Sequence, residues 1–100
     1  MTSKFHLVDT MQFVYILKYS DQTYYIGCTE DLEARMKRHQ SGYVEYTKTR
    51  LPIELIFYCA FEQKNMAFEF EKYLKTGSGI AFRNKHLVAG PSFAKAMEGK

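Results

Sequence analysis

An arginine and a histidine in this sequence stand where a helix would ordinarily carry apolar residues. With about 100° between successive helical residues, Leu32, Arg35, Met36 and His39 fall within one arc of about 100°, and only two of the four are apolar. Charged groups are kept near a core when they are paired or when they line a cleft. Arg35 and His39 are therefore candidates for a functional cleft. An arginine stem packed over Leu32 and a satisfied edge histidine would explain the same pattern.

Two tyrosines in consecutive strand-like segments form a second candidate pair. The segments 13–19 and 24–28 are rich in β-branched and aromatic residues, and a short turn-like stretch between them predicts a β-hairpin. With a three-residue turn, Tyr15 faces Gly27, and Tyr15 and Tyr25 point to the same side of the sheet. We expect the glycine to leave open space beside the phenol. With a two-residue turn the tyrosines would point to opposite faces, and packing in the core is the alternative for each tyrosine.

A carboxylate in a later helix is the third candidate. The segment over about 64–75 carries apolar residues at helical spacing. Glu69 falls on its polar side, whereas Glu71 falls next to apolar positions. An exposed ion pair of Glu71 with Lys75, four residues later, would explain that position equally well.

The elements that would position these residues follow in the order strand, strand, helix, strand, helix. The first helix is predicted over 29–40, with Thr29 as its N-cap and Gly42 as its stop. The third strand is predicted over 53–61 after Pro52. The second helix is expected to end at Gly77-Ser78-Gly79, followed by an irregular segment or short helix up to Val88; Ser92 could cap a final turn. This order predicts an α/β (α+β) fold, a small three-stranded, mainly antiparallel sheet with flanking helices.

Length and composition indicate one domain with short extensions. One hundred residues with 46% hydrophobic content can close one modest core. We expect residues 1–11 to form a flexible arm, 12–88 the domain, and 89–100 a tail or short helix. No apolar stretch approaches the roughly 20 residues that span a bilayer, so we expect a cytoplasmic protein without a membrane partner. Cys28 and Cys59 lie in apolar runs, which argues against a disulfide or a zinc site.

Positive charge is concentrated in two segments. Residues 35–50 and residues 72–86 each carry a net charge of +4, although the whole chain carries only +3. If the two segments converge in space, they would form a patch that binds phosphates. An ordinary solvated lysine surface is the alternative.

Taken together, these residues resemble the GIY-YIG nuclease family over roughly residues 12–88. The resemblance lies in four motifs: Phe13-Val14-Tyr15, Tyr25-Ile26-Gly27, Leu32-x-x-Arg35-x-x-x-His39 and Ala67-x-x-x-Glu71-x-x-x-Lys75. It extends to Leu74–Gly79 and Phe82-x-Asn84-Lys85-His86, as in short standalone members related to the N-terminal nuclease domain of the excision-repair endonuclease. Phe13 replaces the first glycine of the family name, and Cys28 stands where some relatives have a lysine.

The resemblance implies hydrolysis of phosphodiester bonds with one divalent metal, Mg²⁺ or Mn²⁺. Glu71 would hold this hard cation, which keeps most of its waters. Arg35 would contact the scissile phosphate and favour a phenolate on Tyr15, which could then act as general base. His39 would relay the proton or orient a tyrosine, and Tyr25 would hydrogen-bond the water or the phosphate.

The implied partner is DNA, including branched or nicked DNA as met in DNA repair, with no small-molecule cofactor. Six residues are candidates for contacts to the nucleic acid: Lys48, Arg50, Lys75, Arg83, Asn84 and Lys85. The alternative is a module that keeps the fold and binds nucleic acid or protein without cutting. Dependence of cleavage on a divalent metal separates the two hypotheses. Oligomeric state is left open.

Overall fold

A computed structural model describes residues 11–41 and 50–88. The described chain forms, in order, β1 (Gln12–Tyr19), β2 (Tyr24–Thr29), α1 (Leu32–Gln40), β3 (Ile53–Phe61), α2 (Lys64–Leu74) and α3 (Gly77–His86). The strands form a sheet in the order β2-β1-β3, and β1 is antiparallel to both neighbours. This confirms the α+β prediction. Four predicted features lie outside the described residues: the arm apart from Met11, Gly42, Lys48 and the C-terminal segment with Ser92.

The turn between β1 and β2 has three residues and fixes the hairpin register. The backbone N–H of Tyr19 donates to the Thr23 carbonyl at 2.9 Å, which closes the turn. Gln22 adopts the left-handed conformation that such turns need, with φ of 73°. Tyr15 pairs with Gly27 as a result, which is the register expected for a three-residue turn and excludes the alternative for a two-residue turn.

The central strand β1 is buried on both faces. Val14 and Ile16 point into the main core, to which α2 contributes Ala67 and Leu74 and α3 contributes Phe82. Tyr15 points to the opposite face and is also fully buried. This alternation follows from the two-residue period of a strand. The main core therefore lies on one face of the sheet, and the candidate catalytic residues lie on the other.

The first helix begins three residues later than predicted. Asp31, not Thr29, is the N-cap, since its carboxylate accepts a hydrogen bond from the Ala34 N–H at 3.1 Å. Thr29 ends β2, and its hydroxyl oxygen accepts from the Asp31 N–H at 3.1 Å. A threonine and an aspartate two residues apart can both cap, and the strand pairing of Thr29 decides between them.

The glycine-rich segment after α2 begins a helix instead of forming a loop. The Thr76 hydroxyl caps α3 by accepting from the Gly79 N–H at 3.1 Å. A Cβ at Gly79 would collide with the Tyr73 carbonyl, so the glycine permits the sharp turn between the two helices. None of the helices in the described chain has the length and apolarity needed to span a bilayer.

Candidate active site

Tyr15, Arg35 and His39 meet at the face of the sheet that α1 covers. The Tyr15 phenol oxygen lies 3.1 Å from Nε2 of His39, and an Arg35 guanidinium nitrogen donates to the same oxygen at 3.4 Å. Tyr15 and His39 are both 0% exposed, whereas Arg35 is half-buried. The helical spacing of four residues places Arg35 and His39 on the same face of α1, and β1 brings Tyr15 to them.

Tyr25 completes this group from the neighbouring strand. Its ring centroid lies 4.9 Å from that of His39 and 6.2 Å from that of Tyr15. Tyr25 is partly exposed, so the group reaches the surface through Tyr25 and Arg35. We refer to Tyr15, Tyr25, Arg35 and His39 as the tyrosine–histidine cluster.

Gly27 lets the Tyr15 ring lie across β2. A Cβ built at Gly27 would fall 2.5 Å from Cζ of Tyr15 and even closer to its oxygen. The expected open space beside the phenol is therefore absent, because the phenol itself fills it. The glycine serves a close approach between a side chain and a backbone.

Burial decides the protonation state of Tyr15. It raises the pKa of Tyr15 from 10.0 to about 12, and the hydrogen bond from Arg35 lowers that pKa only in part. The expected phenolate is therefore wrong for the resting protein at neutral pH. Arg35 acts in the predicted direction, but desolvation is the larger effect.

His39 is held in its neutral form. Burial, together with the smaller effects of the positive charges of Arg35 and Arg38, lowers the pKa of His39 from 6.5 to about 4. A neutral imidazole has one nitrogen that can accept a proton. With Nε2 in that role, it accepts a hydrogen bond from the Tyr15 hydroxyl.

Glu71 lies on α2, near the residue of β2 that follows Gly27. Its side chain is 21% exposed, and one carboxylate oxygen is 3.1 Å from the Lys75 ammonium, so the predicted i,i+4 pair is present. The pKa of the Cys28 thiol shows which charged residues act on this part of β2. Burial raises this pKa, the negative charge of Glu71 raises it further, and the positive charges of Arg35 and Lys75 lower it. The charges of Glu71 and Arg35 therefore both act on the same residue of β2.

The sequence matches the family described as "GIY-YIG catalytic domain" over residues 11–82. The chain belongs to the GIY-YIG nuclease family. The matched region contains all four members of the tyrosine–histidine cluster and Glu71. The resemblance inferred from the motifs is thus confirmed.

Proteins similar to this GIY-YIG chain carry the name UPF0213 protein. One from Lactococcus lactis subsp. cremoris is 47% identical over 64 residues, which make up 63% of this chain and 65% of that protein. A second, from Bacillus subtilis, is 44% identical over 64 residues, with the same shares. The chain thus spans slightly less than two thirds of the length of these relatives. The solution NMR structure of a Bacillus halodurans UPF0213 protein is 32% identical, has a TM-score of 0.51, and covers 85% of this chain and 93% of its own.

GIY-YIG nucleases generally use divalent metal ions, and the carboxylate of Glu71 is a candidate ligand. Within residues 11–41 and 50–88, no three His, Cys, Asp or Glu side chains come together as a metal-binding group. Magnesium keeps several of its waters and is commonly bound through one or two carboxylates. The oxygen ligands of the half-buried Glu71 fit such a hydrated ion.

The predicted nucleic-acid residues fall in different places on this GIY-YIG domain. Lys75 and Arg83 line one cleft beside β2, and Asn84 accepts a hydrogen bond from Arg83 Nε at 3.2 Å. Lys85 is exposed on α3. Arg50 lies at the hairpin turn, where its Nε is 3.4 Å from the Asp21 carboxylate. Lys48 lies outside the described residues.

Three residues of that cleft, Tyr24, Ile26 and Ile80, were not among the predicted site residues. Tyr24 lies under the Arg83 guanidinium, with 4.7 Å between the guanidinium carbon and the ring centroid. Ile80, one turn before Arg83, is 38% exposed. The tyrosine doublet at the start of β2 was the available signal, because one of two adjacent strand residues must face away from the tyrosine–histidine cluster.

Proposed function

We propose that this protein is a divalent-metal-dependent endonuclease that hydrolyses DNA phosphodiester bonds. The observation that supports this most is the contact of Tyr15 with both His39 and Arg35, on the strand next to Gly27 and Cys28. Such a group can bind a phosphate, accept a proton and shield both steps from bulk water. The DNA substrate is implied by the family, and branched and nicked DNA are the forms that we expect.

Arg35 contacts the scissile phosphate in this mechanism. It is the member of the cluster with a permanent charge, and its planar guanidinium matches two phosphate oxygens. At rest the guanidinium lies against the Tyr15 oxygen, which has no contact with solvent. When Arg35 turns towards a phosphate oxygen, it uncovers the phenol. Substrate binding and exposure of Tyr15 are therefore coupled.

Tyr15 and His39 act together as the base. The attacking water transfers a proton to the Tyr15 oxygen while the Tyr15 proton passes to Nε2 of His39, which is 3.1 Å away. No free phenolate forms, which suits a tyrosine whose pKa is about 12. The new P–O bond forms as the bond to the leaving oxygen breaks, and that oxygen takes up a proton from solvent. Tyr25 hydrogen-bonds the water or the phosphate at the surface of the site.

Glu71 would hold Mg²⁺ or Mn²⁺. When bound, the ion would supply charge stabilisation to the reacting phosphate. Lys75, which is paired with Glu71 at rest, is 55% exposed and can turn to a neighbouring phosphate. Loss of this pair has a small energetic effect, about 0.3–0.5 kcal/mol for an exposed i,i+4 pair.

A cleavage assay tests the proposal. The protein is incubated with supercoiled plasmid and with linear, nicked, branched and single-stranded oligonucleotides, in Mg²⁺, in Mn²⁺ and in EDTA. We expect cleavage in at least one divalent metal and none in EDTA. Binding without cleavage in either metal would contradict the proposal and favour the non-catalytic module, for which the full burial of Tyr15 is the supporting observation.

A further inference from the structure

A cleft lies between the β2 edge of the sheet and α3. It has a volume of about 370 Å³ and is lined by Tyr24, Tyr25, Ile26, Lys75, Ile80 and Arg83. That volume falls in the range of small-molecule sites, roughly 300–1,000 Å³. The lining combines two cations with aromatic and aliphatic side chains, which is the composition that suits a nucleotide.

Within the described residues, the edge of β2 that faces this cleft has no strand partner. β2 is an outer strand of the described sheet, with β1 on one side only. Tyr19 and Thr23 form a hydrogen-bonded pair at the turn, so the alternation of an antiparallel ladder directs the backbone N–H groups of Tyr24, Ile26 and Cys28 outwards. These N–H groups can donate to a phosphate or to the edge of a base.

Arg83 presents a flat, oriented surface at the far end of the cleft. Its guanidinium stacks on the Tyr24 ring at 4.7 Å, and its Nε donates to the Asn84 side-chain oxygen at 3.2 Å. These two contacts restrict the orientation of the guanidinium plane. One face of the plane lies on the Tyr24 ring, and the opposite face, which we call the outer face, is the one that a ligand could contact. Ile80 adds a partly exposed apolar side chain. Unpaired bases stack on such guanidinium planes and aromatic rings.

The cleft adjoins the proposed active site along β2. Tyr24 is three residues from Gly27, about 10 Å along a strand. Tyr25 belongs both to the cleft and to the tyrosine–histidine cluster, and Lys75 lines the cleft while pairing with Glu71. A DNA strand whose scissile phosphate lies at Arg35 would place a neighbouring nucleotide in the cleft.

We propose that this cleft binds one unpaired nucleotide of the DNA strand, with Lys75 on its phosphate and its base against the outer face of Arg83. The inference rests on the proposed function and specifies its substrate. A base held between its neighbours in a duplex has no free face, so the cleft accepts a nucleotide that is already single-stranded or has been unstacked. The enzyme therefore prefers DNA with unpaired nucleotides beside the cut, such as single strands, flaps and open branches.

The test measures the contribution of the bases to binding, without cleavage. Dissociation constants are measured in EDTA for a single-stranded DNA oligonucleotide and for an abasic oligonucleotide with the same backbone. Because the two oligonucleotides have the same backbone, the ratio of the two dissociation constants reports the contribution of the bases to binding, separately from that of the phosphates. For the parent protein we expect the base-containing strand to bind about tenfold more tightly or better, as for base–aromatic stacking.

Three variants test whether the preference for the base-containing strand arises in the cleft. Arg83→Ala and Arg83→Lys should both bring the ratio towards one, because both remove the planar guanidinium. Arg83→Lys does so while it keeps a long, positively charged side chain, so a loss of the ratio in this variant cannot be assigned to a loss of charge. Lys85→Ala, an exposed cation on the same helix, should weaken binding to both strands equally and leave the ratio unchanged.

The outcomes separate this inference from the proposed function. A parent ratio near one, or a ratio that Arg83→Lys leaves intact, overturns the nucleotide cleft even if the protein cleaves DNA in Mg²⁺. A large ratio that both Arg83 variants abolish supports the cleft even if no cleavage is seen in either metal, in which case only the nuclease proposal fails.

Discussion

The phenol oxygen of Tyr15 lies 3.1 Å from Nε2 of His39, although the two residues are 24 positions apart and belong to different elements. With a pKa of about 12 for the tyrosine and about 4 for the histidine, the proton rests on Tyr15 at neutral pH. Transfer of the Tyr15 proton to His39 is therefore unfavourable at rest, and in the proposed mechanism it takes place only as the phenol receives another proton from the attacking water. This relationship is the basis of the first two predictions.

Tyr15→Phe should lower the rate of cleavage by about 10²- to 10⁴-fold, as for the loss of a positioned base. The ring and most of its packing remain, so the fold should be kept. Single-turnover rates and thermal melting of the same samples check both points. A Tyr15→Phe variant that cuts as fast as the parent would remove Tyr15 from the mechanism.

His39 should make the folded protein less stable as the pH falls. Its pKa is about 4 when folded, against 6.5 for an exposed histidine, so the unfolded chain binds the proton more readily. The stabilising contribution is complete above pH 6.5 and is lost as the pH falls towards 4, by on the order of 3 kcal/mol over the whole range. Urea unfolding at pH 7.5 and pH 5 measures it.

A matched pair of variants tests whether His39 causes this pH dependence of stability. His39→Gln should reduce the difference in stability between pH 7.5 and pH 5, because no titrating group remains at that position. His86→Gln, at an exposed position on α3, should leave the difference as in the parent. Equal pH dependence in all three proteins would contradict the buried, neutral state of His39.

Much of this arrangement could be predicted from local patterns. Residue composition and the turn residues predicted the hairpin but left two registers open, and the three-residue turn selects the one that places Tyr15 and Tyr25 on one face. Helical spacing predicted that Arg35 and His39 share a side of α1. The start of α1 was wrong because two residues with capping side chains lie close together, and strand pairing decides which of them caps.

Other features depend on tertiary packing, which a single sequence does not contain. The phenol of Tyr15 fills the space over Gly27, and its burial outweighs the effect of Arg35 on its pKa. The pairing of Tyr24 with Arg83 joins residues 59 positions apart, and no periodic pattern links them. Burial and long-range contacts of this kind become visible only once the chain is folded.

Gly27→Ala should reduce both activity and stability. The new Cβ would overlap the Tyr15 ring, so the ring must move away from His39, and such overpacking typically destabilises by about 1–3 kcal/mol. Gly77→Ala is the control, because a Cβ there meets no atom within 4 Å. Activity assays and melting curves for both variants make the comparison. Normal activity in Gly27→Ala would show that the position of the phenol is unimportant.

Binding to DNA should weaken with salt, and Lys75 should carry part of that dependence. Each neutralised phosphate contributes about −0.9 to the slope of log K against log salt on duplex DNA. Lys75→Ala should therefore make the slope shallower by about one unit. Lys64→Ala is the control, since Lys64 pairs with Glu30 and does not line the cleft. Affinities measured in EDTA from 50 to 200 mM salt, roughly the range over which such contacts are compared, give the slopes.

The most direct test of the proposed nuclease is a comparison of Glu71→Gln with Glu69→Gln. Each variant replaces one carboxylate of α2 with an amide of nearly the same shape. The two positions differ in burial, because Glu71 is half-buried whereas Glu69 is exposed. Metal-dependent cleavage is measured for each, together with Mn²⁺ binding and thermal melting. We predict that Glu71→Gln abolishes cleavage and Mn²⁺ binding with little change in melting temperature, and that Glu69→Gln behaves as the parent. Equal loss of activity in the two variants, or full activity in Glu71→Gln, would contradict the assignment of Glu71 as the metal ligand.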